Sequence, residues 1–303
     1  LIASEKPALL ALGAGICWGT SGLIMRHLGA YGFTAAEIGA LRLTVAAAAV
    51  SIIALRRPGG MHIRLRQLPS LAIMGAGCLF FYSLCYVLSV RELSLSLTAV
   101  LVYTSPAIVM LLSVRVFREP LTPRKTVALG LTLGGICLAA GVSPAAQHYS
   151  ARGIGFGLLA ALLYALYAVL AKIEARRGNP LTITAWCFIF GTAAALCAVD
   201  IPHGLAILYA APGSVVWIAV IGILNTALPY LLYTQAIGQG EAGKAAMMAS
   251  IEPVVATLSG MIFFHETLGL WACLGMLLTI AGLTVMNRSP RRKDALSAGS
   301  DPR

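Results

Sequence analysis

Charge is scarce in this chain. Only 11% of its 303 residues are Asp, Glu, Lys or Arg, and acids number 11 against 22 Lys and Arg. With 59% hydrophobic residues and a mean hydropathy of +0.86, the apolar side chains cannot all be hidden inside one water-surrounded core, so the expected solvent is lipid. No CxxC is present and no His stands at ligand spacing. The seven cysteines (17, 78, 85, 137, 187, 197, 273) all fall in apolar stretches and read as small buried hydrophobes, with no metal expected. The absence of a GxGxxG or Walker-type loop argues against a nucleotide cofactor or ATP as driver. No nucleophile, metal cluster or acid pair recurs at catalytic spacing, so an enzyme is not expected either. Weak period-2 alternation disfavours a membrane β-barrel, leaving an all-α membrane bundle.

What the chain has instead is ten apolar runs. A helix needs about 20 mostly apolar residues to cross a hydrocarbon layer ~30 Å thick, and the runs at 8–28, 34–55, 68–90, 95–117, 123–142, 153–174, 181–200, 213–236, 242–264 and 268–287 approach that length. The first is long and is followed by Arg26 and His27 rather than a small-residue cleavage site, so it reads as a retained helix. Leu1 is not an initiator Met, and the true start is expected upstream or altered. The tail over 291–303 reads as disordered.

The runs are written twice. VLVYTSPAIVMLLSVRVFREPL at 100–121 lines up without a gap on MMASIEPVVATLSGMIFFHETL at 247–268, a displacement of 147 residues. It matches Pro106 to Pro253, Leu111 to Leu258, Phe117 to Phe264 and Glu119 to Glu266, and the register extends to Tyr86 on Tyr233, Thr132 on Thr279 and Gly135 on Gly282. The expected organisation is a first repeat over 1–147 and a second over 148–290, five helices each. Five is odd, so the second copy enters the membrane from the opposite side, and the repeat is expected to be inverted around a central cavity where alternating access operates. With the N-terminus inside, 18 Lys and Arg fall on the inner side, Arg26, Arg91 and Arg152 fall outside, and Arg42 lies within a run. That asymmetry is the positive-inside rule, predicting cytoplasmic termini, and it accounts for the net charge of +11 without nucleic acid.

Some residues are costly where they stand. Proline in a membrane helix leaves the carbonyl four residues earlier unpaired, which lipid cannot satisfy. Pro106, Pro229 and Pro253 free the carbonyls of Val102, Asn225 and Ala249 and are candidate hinges, a plain packing kink being the alternative. Glu252 is the one carboxylate placed near mid-depth, where ionisable groups are usually functional. It could bind a substrate amine, carry a proton, or pair with Arg42. Trp186, Trp217 and Trp271 lie near run ends and read as interfacial belt. Trp18, Tyr82, Tyr103, Tyr164 and Tyr167 lie deep, and a polar-tipped ring there wants protein or a cavity rather than lipid. Tyr82 with Tyr86, and Tyr230 with Tyr233, share helix faces. The candidate binding set is Trp18, Arg42, Tyr82, Tyr86, Tyr103, Ser105, Tyr164, Asn225, Tyr230 and Glu252. Glycine pairs 15/19, 130/134 and 153/157 are read as close helix packing, and runs 5 and 10, nearly free of polar residues, as peripheral braces.

These residues resemble a known pattern. The CWGTSG run at 17–22, Ala40–Arg42, the SP and EP dipeptides at Pro106 and Pro253, and the E-x-L closing runs 4 and 9 at Glu119 and Glu266 are similar to the EamA branch of the drug/metabolite transporter superfamily, over essentially the whole chain. The resemblance implies ten helices in two EamA repeats, cytoplasmic termini, a cavity lined by helices 1, 3, 4, 6, 8 and 9, and structural roles at helix ends for Glu119 and Glu266. Within the branch the chain most resembles the YddG-type bacterial inner-membrane exporters of aromatic and other neutral amino acids. That implies substrates such as Phe, Trp or Tyr, or another small metabolite on the same fold, and a monomer without cofactor. Run 1 carries no acid, unlike the small multidrug members. Only Arg42 among the cations sits clearly inside a run, away from its ends, which argues against phosphate-ester carriers.

Overall fold

The computed structural model describes residues 2–141, 150–267 and 269–288, so the expected tail at 291–303 lies outside the described residues. Every regular element among them is helical. The chain runs α1 (Ile2–Gly19), α2 (Ser21–Ala30), α3 (Ala35–Leu55), a 3₁₀ turn (Leu65–Gln67), α4 (Leu68–Ala72), a π-helical segment (Ile73–Phe81), α5 (Tyr82–Glu92), α6 (Leu95–Val102), α7 (Ser105–Phe117) and α8 (Pro123–Ala139). It continues with α9 (Ala151–Ala175), α10 (Pro180–Leu196), α11 (Ile201–Ala210), α12 (Ser214–Gly222), a second π-helical segment (Ile223–Ala227), α13 (Leu228–Gln239), α14 (Ala242–Ala249), α15 (Glu252–Phe264) and α16 (Leu270–Asn287). Eight stretches are long and apolar enough to cross a membrane: Glu5–Ala30, Ala35–Leu55, Leu65–Glu92, Leu95–Phe117, Ala151–Ala175, Ser214–Gln239, Ala242–Phe264 and Leu270–Asn287. The pair α10 and α11, bent by 99°, would make a ninth.

The helices begin where polar caps allow. Thr34 accepts the Glu37 N–H while Glu37 accepts the Thr34 N–H, a capping box that starts α3. Ser94 and Asn179 cap α6 and α10 in the same way with their side-chain oxygens. Breaks fall at Thr20, at Tyr103–Thr104 and at Ser250–Ile251. Pro106 and Pro253 are the second residues of α7 and α15, where a missing N–H costs nothing. The expected kinks are therefore full stops between two helices. Pro229 follows a widened π turn instead, in which the Thr226 hydroxyl donates to the Ile221 carbonyl.

Glycine decides how closely the halves approach. A Cβ on Gly15 or Gly19 would strike the carbonyls of Ala249 and Glu252, so α1 lies backbone to backbone against the break between α14 and α15. Gly75 in the first π segment meets Cys187 and Gly191 of α10, while Gly222, 147 residues on, meets Arg42 and Val45 of α3. Gly153 and Gly157 pack closely on Leu93 and Leu101, as expected; Gly130 and Gly134 do not make the close approach read from their spacing, which belongs to Gly135 against Gly275 and Thr279. The contacts run from Ala128 and Thr132 against Gly282 to Ala139 against Gly275, so α8 and α16 are antiparallel. They pack chiefly on each other, in keeping with the peripheral role read from runs 5 and 10.

The bundle has two ends of different character. The basic end gathers residues 56–67, 118–122, 176–179 and 240–241. It is tied by Thr182 Oγ1 donating to the Gly60 carbonyl (2.6 Å), Gln67 Nε2 donating to Glu174 Oε2 (2.8 Å), and Lys125 Nζ at 2.7 Å from Glu241 Oε2. Trp186 also joins this layer, its indole N–H donating to the Met61 carbonyl at 3.0 Å. The far end gathers 31–34, 93–94, 197–213 and 265–267, where His203 Nδ1 lies 2.6 Å from Glu37 Oε1.

Candidate functional site

Between the breaks lies a cavity of about 220 Å³. Its wall is built from Trp18 of α1, Ser21 and Met25 of α2, Ala35, Gly39 and Arg42 of α3, Tyr82, Ser83 and Tyr86 of α5, and Tyr164 and Tyr230 of α9 and α13. Four residue pairs at the 147-residue offset complete it: Ala99 with Ala246, Val102 with Ala249, Tyr103 with Ser250, and Ser105 with Glu252. Pro106 also borders it. The two interrupted helices thus meet around one space, each presenting a helix start at Ser105 and Glu252.

The rings form one connected wall. Trp18 packs edge-on against Tyr230 (5.2 Å between centroids) and Tyr233 (5.4 Å), and Tyr82 lies 6.2 Å from Tyr164 and 6.4 Å from Tyr86. Such geometry suits aromatic quadrupoles. Tyr167 and Tyr233 stand behind this wall; the Tyr167 hydroxyl pairs with Thr234 at 3.3 Å and Tyr233 is fully buried.

Two charges face the cavity from opposite helices. Among the described residues no ion pair joins Arg42 to Glu252, and Tyr103 lines the same space as the Glu252 carboxylate. A charge inside a membrane protein is costly without a partner or water. Arg42 also borders a second cavity of about 150 Å³ between α3, α5 and α10, shared with Gly39, Ser83 and Tyr230.

Most residues read as binding candidates converge here: Trp18, Arg42, Tyr82, Tyr86, Tyr103, Ser105, Tyr164, Tyr230 and Glu252 all line the cavity. Asn225 does not. Its amide nitrogen donates to the Cys17 carbonyl and, at 2.8 Å, to Thr20 Oγ1, so it mends the break between α1 and α2. Pro229 and Pro253 shape the backbone without bordering the space. Sequence reasoning missed Ser21, Met25, Ala35, Gly39, Ser83 and Ser250. The repeat register identifies Ser250, as the mate of Tyr103, and the others carry no costly group that would single them out. The family resemblance also left out helix 2, yet α3 lines the cavity with three residues.

The lining of the cavity leans towards one end. Ala35 is the first residue of α3, and Ala99 lies in the second turn of α6, so the wall extends to the far end. No lining residue comes from the basic-end segments. There, Lys172 Nζ donates to Glu119 Oε1 and to the Gly240 carbonyl (2.7 Å), the Ala242 N–H donates to Glu119 Oε1 (3.2 Å), and both charged side chains are nearly buried.

A many-helix membrane bundle with a ring-walled cavity that also holds a cation and a carboxylate has the build of a small-solute transporter. The sequence pattern of the EamA-like transporter family matches the chain twice, over residues 5–141 and 151–288, and the chain belongs to that family. It is similar to an uncharacterized transporter of Archaeoglobus fulgidus, 29% identical over 72% of this chain and 76% of that one. It is similar also to a probable terminal-alkyne amino-acid exporter of Streptantibioticus cattleyicolor, 24% identical over 90% and 91%. A crystal structure 18% identical in sequence superposes with a TM-score of 0.76, covering 93% of this chain and 98% of that chain, which shows the fold.

Proposed function

We propose that this protein is a secondary transporter that exports neutral amino acids, aromatic ones among them, across the bacterial inner membrane by alternating access. The observation that carries the reading is the meeting, in one cavity, of a cation, a carboxylate with which it forms no ion pair, and a wall of aromatic rings. A zwitterion offers a carboxylate to Arg42, an ammonium to Glu252, and a flat apolar side chain to Trp18, Tyr82 and Tyr164. Charge-assisted hydrogen bonds at both poles would orient it. This favours the substrate-amine role of Glu252 over a permanent pair with Arg42. The exporter of alkyne amino acids among its relatives points to the same substrate class.

Ten membrane passages in two inverted sets of five fit the packing. The antiparallel run of α8 on α16, with Thr132 and its repeat mate Thr279 both in the contact, is what an inverted pair requires. So is the exchange of glycine contacts, Gly75 on α10 and Gly222 on α3. Basic residues then put the basic end and both termini in the cytoplasm, with α11 lying along the outer face and the cavity open outward. The chain acts as a monomer, and Pro106, Pro229 and Pro253 sit at the joints that would bend.

The test is flux. Purified protein in liposomes is expected to move labelled Phe, Tyr or Trp down a gradient, and Trp18→Ala and Tyr82→Ala to lower that flux while remaining folded. Movement of another metabolite with no amino acid transported would replace this reading, and normal flux in either variant would remove that ring from the path.

A further inference from the structure

Each end of the bundle carries one copy of the same device. Phe117, Arg118 and Glu119 at the end of α7 are the repeat mates of Phe264, His265 and Glu266 at the end of α15. The backbones agree in detail. Arg118 and His265 are the only non-glycine residues with positive φ among those described, at 57° and 53°. The Glu119 N–H donates to Ser113 (3.2 Å) and the Glu266 N–H to Gly260 (3.4 Å), again mates. In both copies a cation from the first membrane run of the opposite repeat answers the glutamate and covers the phenylalanine. Lys172 does so over Phe117 at 4.9 Å, and Arg26 over Phe264 at 4.1 Å, within one residue of the same register.

The two copies differ in one respect. At the basic end Glu119 is also docked on the start of α14, through the Ala242 N–H, and Lys172 on the Gly240 carbonyl. At the far end Glu266 and Arg26 touch at 3.2 Å with side chains 57% and 62% exposed, and the described hydrogen bonds hold neither to α6. The mates of Ala242 and Gly240 are Leu95 and Leu93, at the start of α6.

From this difference we infer that Glu119–Lys172 and Glu266–Arg26 are two gate latches used in turn: when the cytoplasmic latch releases, Glu266 docks on the Leu95 N–H and Arg26 on the Leu93 carbonyl, closing the outer side. The inference rests on the alternating-access reading, and it names the residues that carry the change. One latch is locked and the other unlocked because a chain of two similar halves can satisfy the docking geometry at only one end at a time. The local sequence supplies both copies of the cap; the global packing decides which is closed.

Hydrogen–deuterium exchange of the full chain in lipid tests this without knowledge of the substrate. In Glu119→Gln, amides at 240–244 are expected to exchange about fivefold faster or more, while those at 93–97 become protected to a similar degree, since one equilibrium governs both ends. Faster exchange at 240–244 with no protection at 93–97 would overturn the inference and leave Glu119 a structural cap. Should Glu119→Gln fail to fold, Arg26→Gln carries the test, because its side chain is 62% exposed and is not part of the packed interior. It is expected to keep 240–244 protected and to slow turnover of whatever solute is carried by about fivefold or more; wild-type turnover would overturn the proposal. Reciprocal exchange in a protein that moves no amino acid would sink the substrate reading alone.

Discussion

The glutamate latch at the basic end and the one at the far end share Phe, Glu and Leu at matching places, in FREPLT and FHETLG, and both stop a helix at a left-handed residue, Arg118 or His265. Their surroundings differ: the side chains of Lys172 and Glu119 are 4% and 11% exposed, those of Arg26 and Glu266 62% and 57%. An exposed ion pair loses most of its attraction to water and to the entropy of two long side chains, whereas breaking a buried one strands a charge. The lesson is that a repeat specifies local geometry twice but energy only once, because energy depends on what the other half brings to the motif.

The largest expected effect separates the two ends directly. Lys172→Met leaves the Glu119 carboxylate buried against Ala242 without its cation and is expected to destabilise the folded protein by about 3–5 kcal/mol. Arg26→Met at the matching place is expected to cost less than about 1 kcal/mol. Thermal unfolding in detergent, read against wild type, measures both. Equal losses would mean that the exposure difference carries no energetic weight, and the contrast between the ends would fall.

The next comparison is between the two helix starts that face the cavity. Ser105 and Glu252 are repeat mates and both line the space, but only Glu252 brings a charge. Glu252→Gln keeps the shape and removes the charge, and is expected to reduce amino-acid flux about tenfold or more, the scale of a lost charge-assisted hydrogen bond of about 1.5–3 kcal/mol. Ser105→Ala is expected to change flux by less than about threefold. Initial rates in liposomes at fixed substrate concentration decide it. A larger loss at Ser105 would place the solute nearer the first repeat, away from Glu252.

These contrasts also mark what could be read from the residues alone. Trp18, Tyr82 and Glu252 were legible because a polar group in a long apolar run is expensive, so its presence implies a reason. The same logic misassigned Asn225, since the expense can equally be met by mending a helix break, and only coordinates reveal Cys17 and Thr20 as its partners. Gly39 and Ser83 were illegible because small residues cost nothing anywhere. Lys172 was counted as one basic residue among many on the inner side. Its burial depends on Glu119 and Gly240 arriving from distant parts of the chain, which no local pattern encodes. The 147-residue register is the most informative signal, because it pairs Glu119 with Glu266 and Tyr103 with Ser250, although the contacts that give these pairs meaning come only from the fold.

The smallest expected effect lies at the far end, where a second charged contact makes the contrast with the basic end dependent on pH. His203 is the third residue of α11, with its Nδ1 facing Glu37 Oε1, and Asp200 caps the helix by accepting the His203 backbone N–H. The hydrogen bond to Glu37, then its negative charge and that of Asp200, raise the His203 pKa above the usual ~6.5. A raised histidine pKa means that the folded state binds the proton more tightly than the unfolded chain does. The added stability is therefore fully present below about pH 6.5 and is lost as pH climbs through the raised value. His203→Gln preserves a neutral donor to Glu37 and removes only the charge. It should melt below wild type at pH 5.5, with the gap narrowing as pH climbs through the raised histidine pKa. The Lys172→Met deficit contains no imidazole and serves as the reference that holds constant across the same range. A His203→Gln gap that widened with pH would mean the imidazole is neutral in the folded state, and the far end would then hold one exposed ion pair rather than two charged contacts.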